Sequence, residues 1–528
     1  MTKTKAEEMA ALQQEISISE FFTKNRHLLG FDNPRKALLM AVKEGVDNSL
    51  DACQDAEILP EIYVEIKKIK EDRYSLVVED NGPGIVKEQI PRIFGKLLYG
   101  SKFHRLRQSM GQQGIGISAA ALYGQLTTGK NFHVISKIGK NRPAYYYELH
   151  IDTKLNEPKI VTEKEVPYMK DQGTRLEFEM EAKYQKGKQS ADEYLKEIAL
   201  SNPHAKITFK DPEGTVITFP RAVNTLPKEA KEIKPHPYGI ELGMLISMLH
   251  STTAKSLSTF LQQDFSRVSA SIAQQICDKA EINMHSRPNT IVRNQAEKLY
   301  EAIQQTKIMS PPTNCLVPIG AEALEKGMRK EIDAEFYATV SRPPSVYRGN
   351  PFSIEVGIAY GGSIDPEGSV QVIRFANRVP LLYQQGAGAI QKAIIETAWK
   401  NYNISQSKGS LPQGPILIIV SMVSVWVPFT SEAKEAIASY DEIIKEMKLA
   451  LQEAGRKLST YIRKTVKARE QREKINLFEK YIPEVAEGLS MISSAKKTDI
   501  EGYLTKFLKK NIGELIKGLE DNDNKEKE

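Results

Sequence analysis

Lys43-Glu44-Gly45-Val46-Asp47-Asn48-Ser49-Leu50-Asp51-Ala52 lies inside a stretch, Asn33 to about Cys53, whose ends and periodicity predict a helix. Asn33 supplies a capping oxygen, and Pro34 fits the first helical position, where its missing N–H costs nothing. With about 100° between successive residues, Leu39, Val42, Val46, Leu50 and Cys53 form one apolar stripe. Glu44, Asp47, Asn48 and Asp51 fall on the other side, with Glu44 and Asn48 one turn apart. Taken alone, that polar side reads as a solvated helix face, so its neighbours in sequence decide what it is.

Downstream, Ile62 to Ile69 and Tyr74 to Glu79 alternate as strands do, and the second runs into Asp80-Asn81-Gly82-Pro83-Gly84-Ile85. A carboxylate is thereby placed at a strand end, beside a backbone that two glycines allow to turn tightly. Tyr99-Gly100-Ser101-Lys102 follows, and then Gly111-Gln112-Gln113-Gly114-Ile115-Gly116, a glycine-rich loop leading into the helix-like Ile117-Ser118-Ala119-Ala120-Ala121-Leu122-Tyr123. Such a loop exposes backbone N–H groups at a helix N-terminus, which suits a polyphosphate. Gly173-Thr174 precedes a third strand pattern, Arg175 to Glu179. A competing phosphate motif fails: Gly124 to Lys130 has P-loop spacing, but Asn131 stands where a Ser or Thr hydroxyl belongs, so the stretch reads as a coincidental turn.

In this order the elements resemble the nucleotide pocket of the GHKL ATPases, shared by gyrase B subunits, mismatch-repair proteins, heat-shock chaperones and histidine kinases. The wording is most similar to that of the ATP-binding subunits of type IIB DNA topoisomerases, which act beside a separate DNA-cleaving A subunit. The resemblance implies that Glu44 is the general base orienting the attacking water and that Asn48 is a Mg²⁺ ligand. It implies that Asp80 accepts from the adenine amino group, that Gly84 lets the base approach, and that Thr174 supports the adenine end. Gly111, Gln112, Gln113, Gly114, Ile115, Gly116, Ile117 and Ser118 would cradle the phosphates of ATP, with Ser101 and Lys102 in a lid over them. Hard oxygen ligands suit Mg²⁺, and phosphoryl transfer needs positioning and charge neutralisation more than covalent chemistry.

The same likeness orders the rest of the chain. The fold class expected is α+β: an arm over 1–20 that straps a dimer, a GHKL (Bergerat) ATP-binding α/β sandwich over 21–230, and an all-helical helix-two-turn-helix insert over 231–312. An α+β transducer domain with a long C-terminal helix covers 313–482, followed by a helical segment and disordered tail over 483–528. In the arm, Ile16-Ser17-Ile18-Ser19 reads as a small helix or a strand seeking a partner. The insert shows helical stretches at Gly243 to His250 and Val268 to Lys279. Strands return at Phe352 to Ala359, Gln371 to Ala376 and Ile416 to Val427, with a helix near Gly388 to Asn401. From near Thr430 a long charged helix is expected, ended or kinked by Pro483. If Ser431 caps it, Lys434 sits in its first turn, where a cation opposes the helix dipole unless phosphate lies close by. By resemblance Lys434 is the catalytic switch that reaches the γ-phosphate.

Composition bounds these expectations. The 528 residues imply several domains, and 41% hydrophobic with 27% charged residues is an ordinary globular balance. A net charge of +6 does not by itself point to nucleic acid, although basic residues dominate between Arg456 and Lys474. Cys53, Cys277 and Cys315 form no CxxC pair, which fits a reducing interior. The longest apolar run, Ile416 to Val427, has 12 residues, short of the ~20 that cross a bilayer. Met1 to Gln14 lacks a signal peptide's apolar centre. No DNA-cleavage centre is legible, so cleavage is assigned to a partner. The expected protein is a cytoplasmic, nucleoid-associated ATPase subunit that binds double-stranded DNA, dimerises on ATP and joins A subunits in an A2B2 assembly. A mismatch-repair or chaperone ATPase, or a nucleotide-binding scaffold without turnover, is the alternative. The short stretch before Glu44 has no room for a histidine kinase's phosphoacceptor helices.

Overall fold

The computed structural model describes residues 15–508 apart from 101–104, 112–114, 384–385, 432–433 and 494, together with residues 5, 9 and 13. The chain separates into two compact units, one up to Lys400 with Ile404–Gly455, the other Asn401–Asn403 with the residues from Arg456 on.

In the first unit the arm residues Ile18–Lys24 form helix α1, capped by Ser17, so the helical of the two readings for that stretch holds. Helix α2 (Pro34–Asp55) begins as its sequence dictates: the Asn33 side chain accepts from Lys36 N at 2.9 Å. Strands β1 (Glu61–Lys70) and β2 (Arg73–Glu79) follow, then helices α3 (Ile90–Gly95) and α4 (Gly116–Thr128). Next come β3 (Phe132–Lys137), β4 (Ala144–Asp152), β5 (Glu157–Val166), β6 (Gly173–Glu181), helix α5 (Ala191–Ser201), β7 (Lys206–Lys210) and β8 (Val216–Phe219). The strands make one 8-stranded sheet in the order β5-β4-β3-β6-β2-β1-β7-β8. The pairing is antiparallel except between β1 and β7.

Alternation along the strands sorts the two faces of this sheet. Ile62, Val64, Leu76, Val78, Leu176 and Phe178 pack with α2 and α4 into one buried core. The intervening residues carry cross-strand charge pairs, Arg175 with Glu79 at 2.9 Å and Lys210 with Glu65 at 2.9 Å. The false P-loop is the last turns of α4, closed by Gly129 at φ +67°. A helix in place of the expected turn equally excludes phosphate binding of P-loop type.

Four helices, α6 (Leu242–Ser251), α7 (Leu257–Asp264), α8 (Ala270–Lys279) and α9 (Arg293–Gln305), form the insert around Leu245, Phe260, Ile276 and Leu299. The second α+β region contains α10 (Ala321–Glu331), β9 (Phe336–Ser341), β10 (Ser345–Tyr347), β11 (Asn350–Tyr360), β12 (Gln371–Ala376) and β13 (Val379–Pro380). It continues with α11 (Gly388–Glu396), the short pair β14 (Ser405–Gln406) and β15 (Pro412–Gln413), and β16 (Ile416–Ser424). Its main sheet runs β10-β11-β16-β12-β13, with β9 also on β11. The 12-residue apolar run is therefore a central strand, buried along its whole β16 length.

Several expectations are corrected here. β16 stops at Ser424 rather than Val427, because the Ser424 hydroxyl donates to the carbonyls of Pro351 and Trp426 and turns the chain. The helix expected to reach Asn401 ends at Glu396; the buried Trp399 folds back so that its Nε1 donates to Ile394 O at 2.8 Å. The long helix α12 (Asp441–Ile492) starts well after Thr430. Residues 428–431 and 434–438 lie outside any helix instead, pinned by the Phe429–Ile437 bridge, Thr430 N to Ala436 O at 2.9 Å and Ala438 N to Pro428 O at 2.8 Å. Ser431 is thus no cap for α12, and Lys434 is outside it. Of the two outcomes expected at Pro483, an end or a kink, the end is excluded, since α12 continues through it to Ile492. The stretch around Glu479 is exposed, so the carbonyl that proline leaves without a helical donor is open to solvent.

The second unit holds α12 from Arg456 onward and a helix over 497–508. Leu477, Phe478, Tyr481 and Val485 are exposed along it. Among the described residues no helix is long and apolar enough to cross a membrane.

His204 is buried beside the charges of Arg378 and Arg221, and burial with those cations pushes its pKa down to about 3. An unfolded histidine titrates near 6.5. From about pH 6.5 down to 3 the unfolded chain therefore binds a proton that the folded chain refuses, and stability falls as pH falls. The expected outcome is that His204→Gln flattens the decline in denaturation midpoint between pH 7 and pH 4. Parallel curves for variant and wild type would refute this.

Candidate functional site

The burial of α2 is the first surprise. From Ala37 to Cys53 every residue is buried except Glu44, Asn48 and Ala52, which follow one another at helical spacing and line one cavity. Asp47 and Asp51, expected on a solvated face, are buried too. Asp47 accepts from the Tyr194 hydroxyl. Asp51 accepts from Met110 N at 3.1 Å and Gly111 N at 3.0 Å. Burial pushes the Asp47 carboxyl up to about 7. Gly45 lets the helix sit directly on the sheet, since a Cβ there would lie 2.8 Å from Val78 Cγ2.

The cavity has a volume of about 620 Å³, within the range of small-molecule sites. Met40, Val78, Ile85, Phe94 and Leu176 supply apolar walls. Asp80 forms a polar point at the end of β2. Its Oδ1 accepts from Gly82 N at 2.9 Å and Thr174 N at 3.1 Å, and its Oδ2 from the Ser49 hydroxyl at 3.0 Å. Burial raises the Asp80 pKa against those donors. Ser136 joins the same network, accepting from Ile85 N at 2.8 Å and lying 3.2 Å from the Thr174 hydroxyl.

At the other end, Gly111, Ile115, Gly116 and Ile117 line the cavity beside Glu44. The α4 N-terminus approaches so closely that a Cβ on Gly116 would stand 1.8 Å from Glu44 Oε2. Lys43 Nζ lies 4.0 Å from Glu44 Oε1. Lys434 completes the lining. It comes from the loop before α12, with φ +53°, and the adjacent Glu435 pairs with Lys36 of α2 at 2.8 Å. Burial, and then the Lys43 charge, push the Lys434 pKa down, while Glu44, Asp47 and Asp51 oppose them.

Of the residues singled out in the sequence, Glu44, Asn48, Asp80, Gly84, Gly111, Ile115, Gly116, Ile117, Thr174 and Lys434 are brought together around this one cavity. Ser118 is not among its lining residues: it is buried, and its hydroxyl returns to Ile115 O at 3.2 Å within the first turn of α4. Ser101, Lys102, Gln112, Gln113 and Gly114 lie outside the described residues. Sequence reading gives no role to Ser49 and Ser136, which hold Asp80 and Thr174, and names Gly173 only beside Thr174. Gly173 carried a faint signal, its φ of +138° and a would-be Cβ 2.2 Å from Asp80 O requiring glycine there.

The donor set fits a magnesium nucleotide. Asn48 offers an amide oxygen and Glu44 a carboxylate one turn away, both hard oxygens. The glycine-bearing α4 N-terminus offers partial positive charge to phosphates.

Residues 33–183 match the family model described as histidine kinase-, DNA gyrase B-, and HSP90-like ATPase. Residues 311–474 match that of the topoisomerase VI B subunit transducer. The B subunit of type 2 DNA topoisomerase 6 from Methanococcoides burtonii is 49% identical over 95% of this chain and 81% of its own length. The protein of the same name from Archaeoglobus fulgidus is 47% identical over 95% of this chain and 83% of its own. The ATPase region of Saccharomyces cerevisiae topoisomerase II aligns at a TM-score of 0.44 and 12% identity, over 86% of this chain and 98% of that chain.

Gly84 has φ +71°, and a Cβ there would lie 2.1 Å from Lys137 O. Gly129 has φ +67° but open space around it. Gly129→Ala should therefore cost only the ~1–2 kcal/mol of a left-handed alanine. Gly84→Ala should cost more and lower the denaturation midpoint further. Equal midpoints for the two variants would contradict the close approach.

Proposed function

The chain belongs to the family of type 2 DNA topoisomerase 6 B subunits and is the ATPase subunit of a type II DNA topoisomerase; we propose that its own ATP-driven dimerisation gates a separate DNA-cleaving subunit. On this reading two copies join two A subunits in an A2B2 assembly that relaxes and decatenates double-stranded DNA in the cytoplasm by double-strand passage. The observation that carries it is the meeting of Glu44 and Asn48 from α2 with Lys434, from far along the chain, around one cavity.

The residue roles follow from that meeting. Asp80, held by Gly82 N, Thr174 N and Ser49, presents a fixed acceptor to the adenine amino group, and Gly84 clears the space for the ring. Gly111, Ile115, Gly116 and Ile117 face the phosphates, and Asn48 holds Mg²⁺ through its amide oxygen. The bound metal supplies charge neutralisation to the phosphates. Glu44 orients the attacking water and takes its proton, held in place by the tight approach of Gly116. Lys434 pairs with the terminal phosphate, a partner that offsets its burial and the repulsion of Lys43. Because its loop follows β16, the presence of that phosphate is felt by the second α+β region. Exposed apolar residues such as Phe478 and Tyr481 in the C-terminal unit support a surface for the A subunit.

Glu44→Ala is expected to keep ATP affinity while phosphate release, measured with A subunit and DNA, falls about 100-fold or more. Asn48→Ala should weaken Mg²⁺-dependent ATP binding as well. Unchanged turnover in Glu44→Ala would remove the base assignment, and no turnover in wild type would favour the scaffold.

Lys434→Ala should bind ATP yet reduce the nucleotide-dependent change in small-angle scattering. Scattering of wild type that is identical with and without a non-hydrolysable analogue would overturn the switch.

A further inference from the structure

Lys434 is a single contact at the phosphate end, but the stretch leading into the glycine loop is bonded on both sides. Gln108 is stitched to the segment that opens the second α+β region. Its N donates to Cys315 O at 3.0 Å, its Nε2 to Val317 O at 3.0 Å, and its Oε1 accepts from Val317 N at 2.6 Å. Ser109 O accepts from Asn377 Nδ2 at 3.1 Å, in the left-handed turn between β12 and β13. The next residues face the other way: Met110 N and Gly111 N are held by Asp51, two helical turns along α2 from Glu44.

The attachment on the second region is firm. Asn377 is fixed to β16 by Nδ2 to Ser424 O at 3.0 Å and by accepting from Ser424 N at 2.9 Å. The segment gripped by Gln108 continues into Ile319 and Gly320, whose N–H groups donate to the buried Glu355 carboxylate of β11 at 2.8 and 2.7 Å. A peptide backbone is inextensible at about 3.8 Å per residue. A ligand that shifts Gly111, which lines the cavity, therefore pulls on Ser109 and Gln108, and through them on β11 and β16.

We propose that Gln108, assisted by Asn377, is a positioning residue that carries nucleotide occupancy into the second α+β region by a route separate from Lys434. This rests on the ATP-binding reading of the cavity. The route is a short irregular segment bonded to both regions.

The test uses the full chain with Lys67→Cys and Lys392→Cys, both exposed, as spin-label sites on the two regions, the native cysteines being buried. Labelled protein is diluted with unlabelled chain so that only distances within one copy are read. Distances are measured with and without a non-hydrolysable ATP analogue and Mg²⁺. The wild-type distance should shift on binding. Gln108→Leu should lose about half of the shift while analogue affinity stays within about threefold, and Gln108→Leu with Lys434→Ala should lose nearly all of it. Gln108→Glu keeps the acceptor for Val317 N but sets a carboxylate oxygen against Val317 O in place of the donor, so it too should lose part of the shift; it serves also if the leucine variant folds poorly. A full shift in both Gln108 variants at normal affinity overturns the proposal. Loss of shift in strict proportion to lost affinity and melting temperature also overturns it, because that marks a merely structural role. A wild-type distance that never responds overturns the switch reading together with this one.

Discussion

A carboxylate can be held inside a protein only when donors replace the water it has lost, and two aspartates of α2 impose that constraint on everything around them. Asp47 is met by the Tyr194 hydroxyl from α5, and Asp51 by two successive N–H groups of the strand before the glycine loop. Together with the contact of Gly45 on Val78, these partners fix the rotation of the helix about its axis. One line of α2 remains free to face a cavity, and Glu44 and Asn48 occupy it. Were Asp51 unpaired, neither the helix rotation nor the approach of Gly111 would be set.

The cavity is built from backbone as much as from side chains. At Gly84, Gly116 and Gly173 a Cβ would collide with Lys137 O, Glu44 Oε2 and Asp80 O respectively. Each glycine is a place where chain must pass within contact distance of a functional group. Such contacts leave Glu44 and Asp80 little freedom to reorient, which is how a site is preorganised before its ligand arrives. The apolar walls and the acceptor on Asp80 suit a flat heteroaromatic ring at one end. The α4 N-terminus with Lys43 and Lys434 suits anionic groups at the other.

The sequence disclosed most where the signal was local. The Asn33-Pro34 cap, the strand that runs into Asp80, the helix that follows the glycine run and the burial of the apolar run up to Ser424 are each set by neighbouring residues. What was misread depended on partners distant in the chain. The polar side of α2, which taken alone reads as a solvated face, is buried at Asp47 and Asp51 because Tyr194 and the irregular Met110–Gly111 segment cover it, and no period in α2 announces them. Ser431 had the chemistry of a cap, yet bonds between 428–430 and 436–438 hold that stretch as a loop, so α12 starts at Asp441. Ser118 followed the pattern of a phosphate-loop serine, but its hydroxyl turns inward to Ile115 O. Lys434 was placed in the right cavity although its local structure was wrong, because what carries it there is the position of the loop beside α2, secured by Glu435 and Lys36.

The small net charge of +6 conceals an uneven distribution with a mechanical consequence. Lys43 and Lys434 share the cavity end with Glu44, and with Asp47 and Asp51 behind it. Burial and mutual repulsion disfavour the Lys434 cation in the absence of an anion, and its left-handed backbone is a further cost of about 1 kcal/mol or more. A bound anion removes part of that cost. The loop carrying Lys434 follows β16, while the segment gripped by Gln108 is tied to β11. Those two strands pair with each other from Phe352–Ser424 to Tyr360–Ile416 at the centre of the second sheet. The loop of Lys434 and the segment gripped by Gln108 thus both attach to one pair of strands. On the proposed reading a pull on either attachment would be carried into that pair, and through it occupancy of a small cavity would become displacement of a domain.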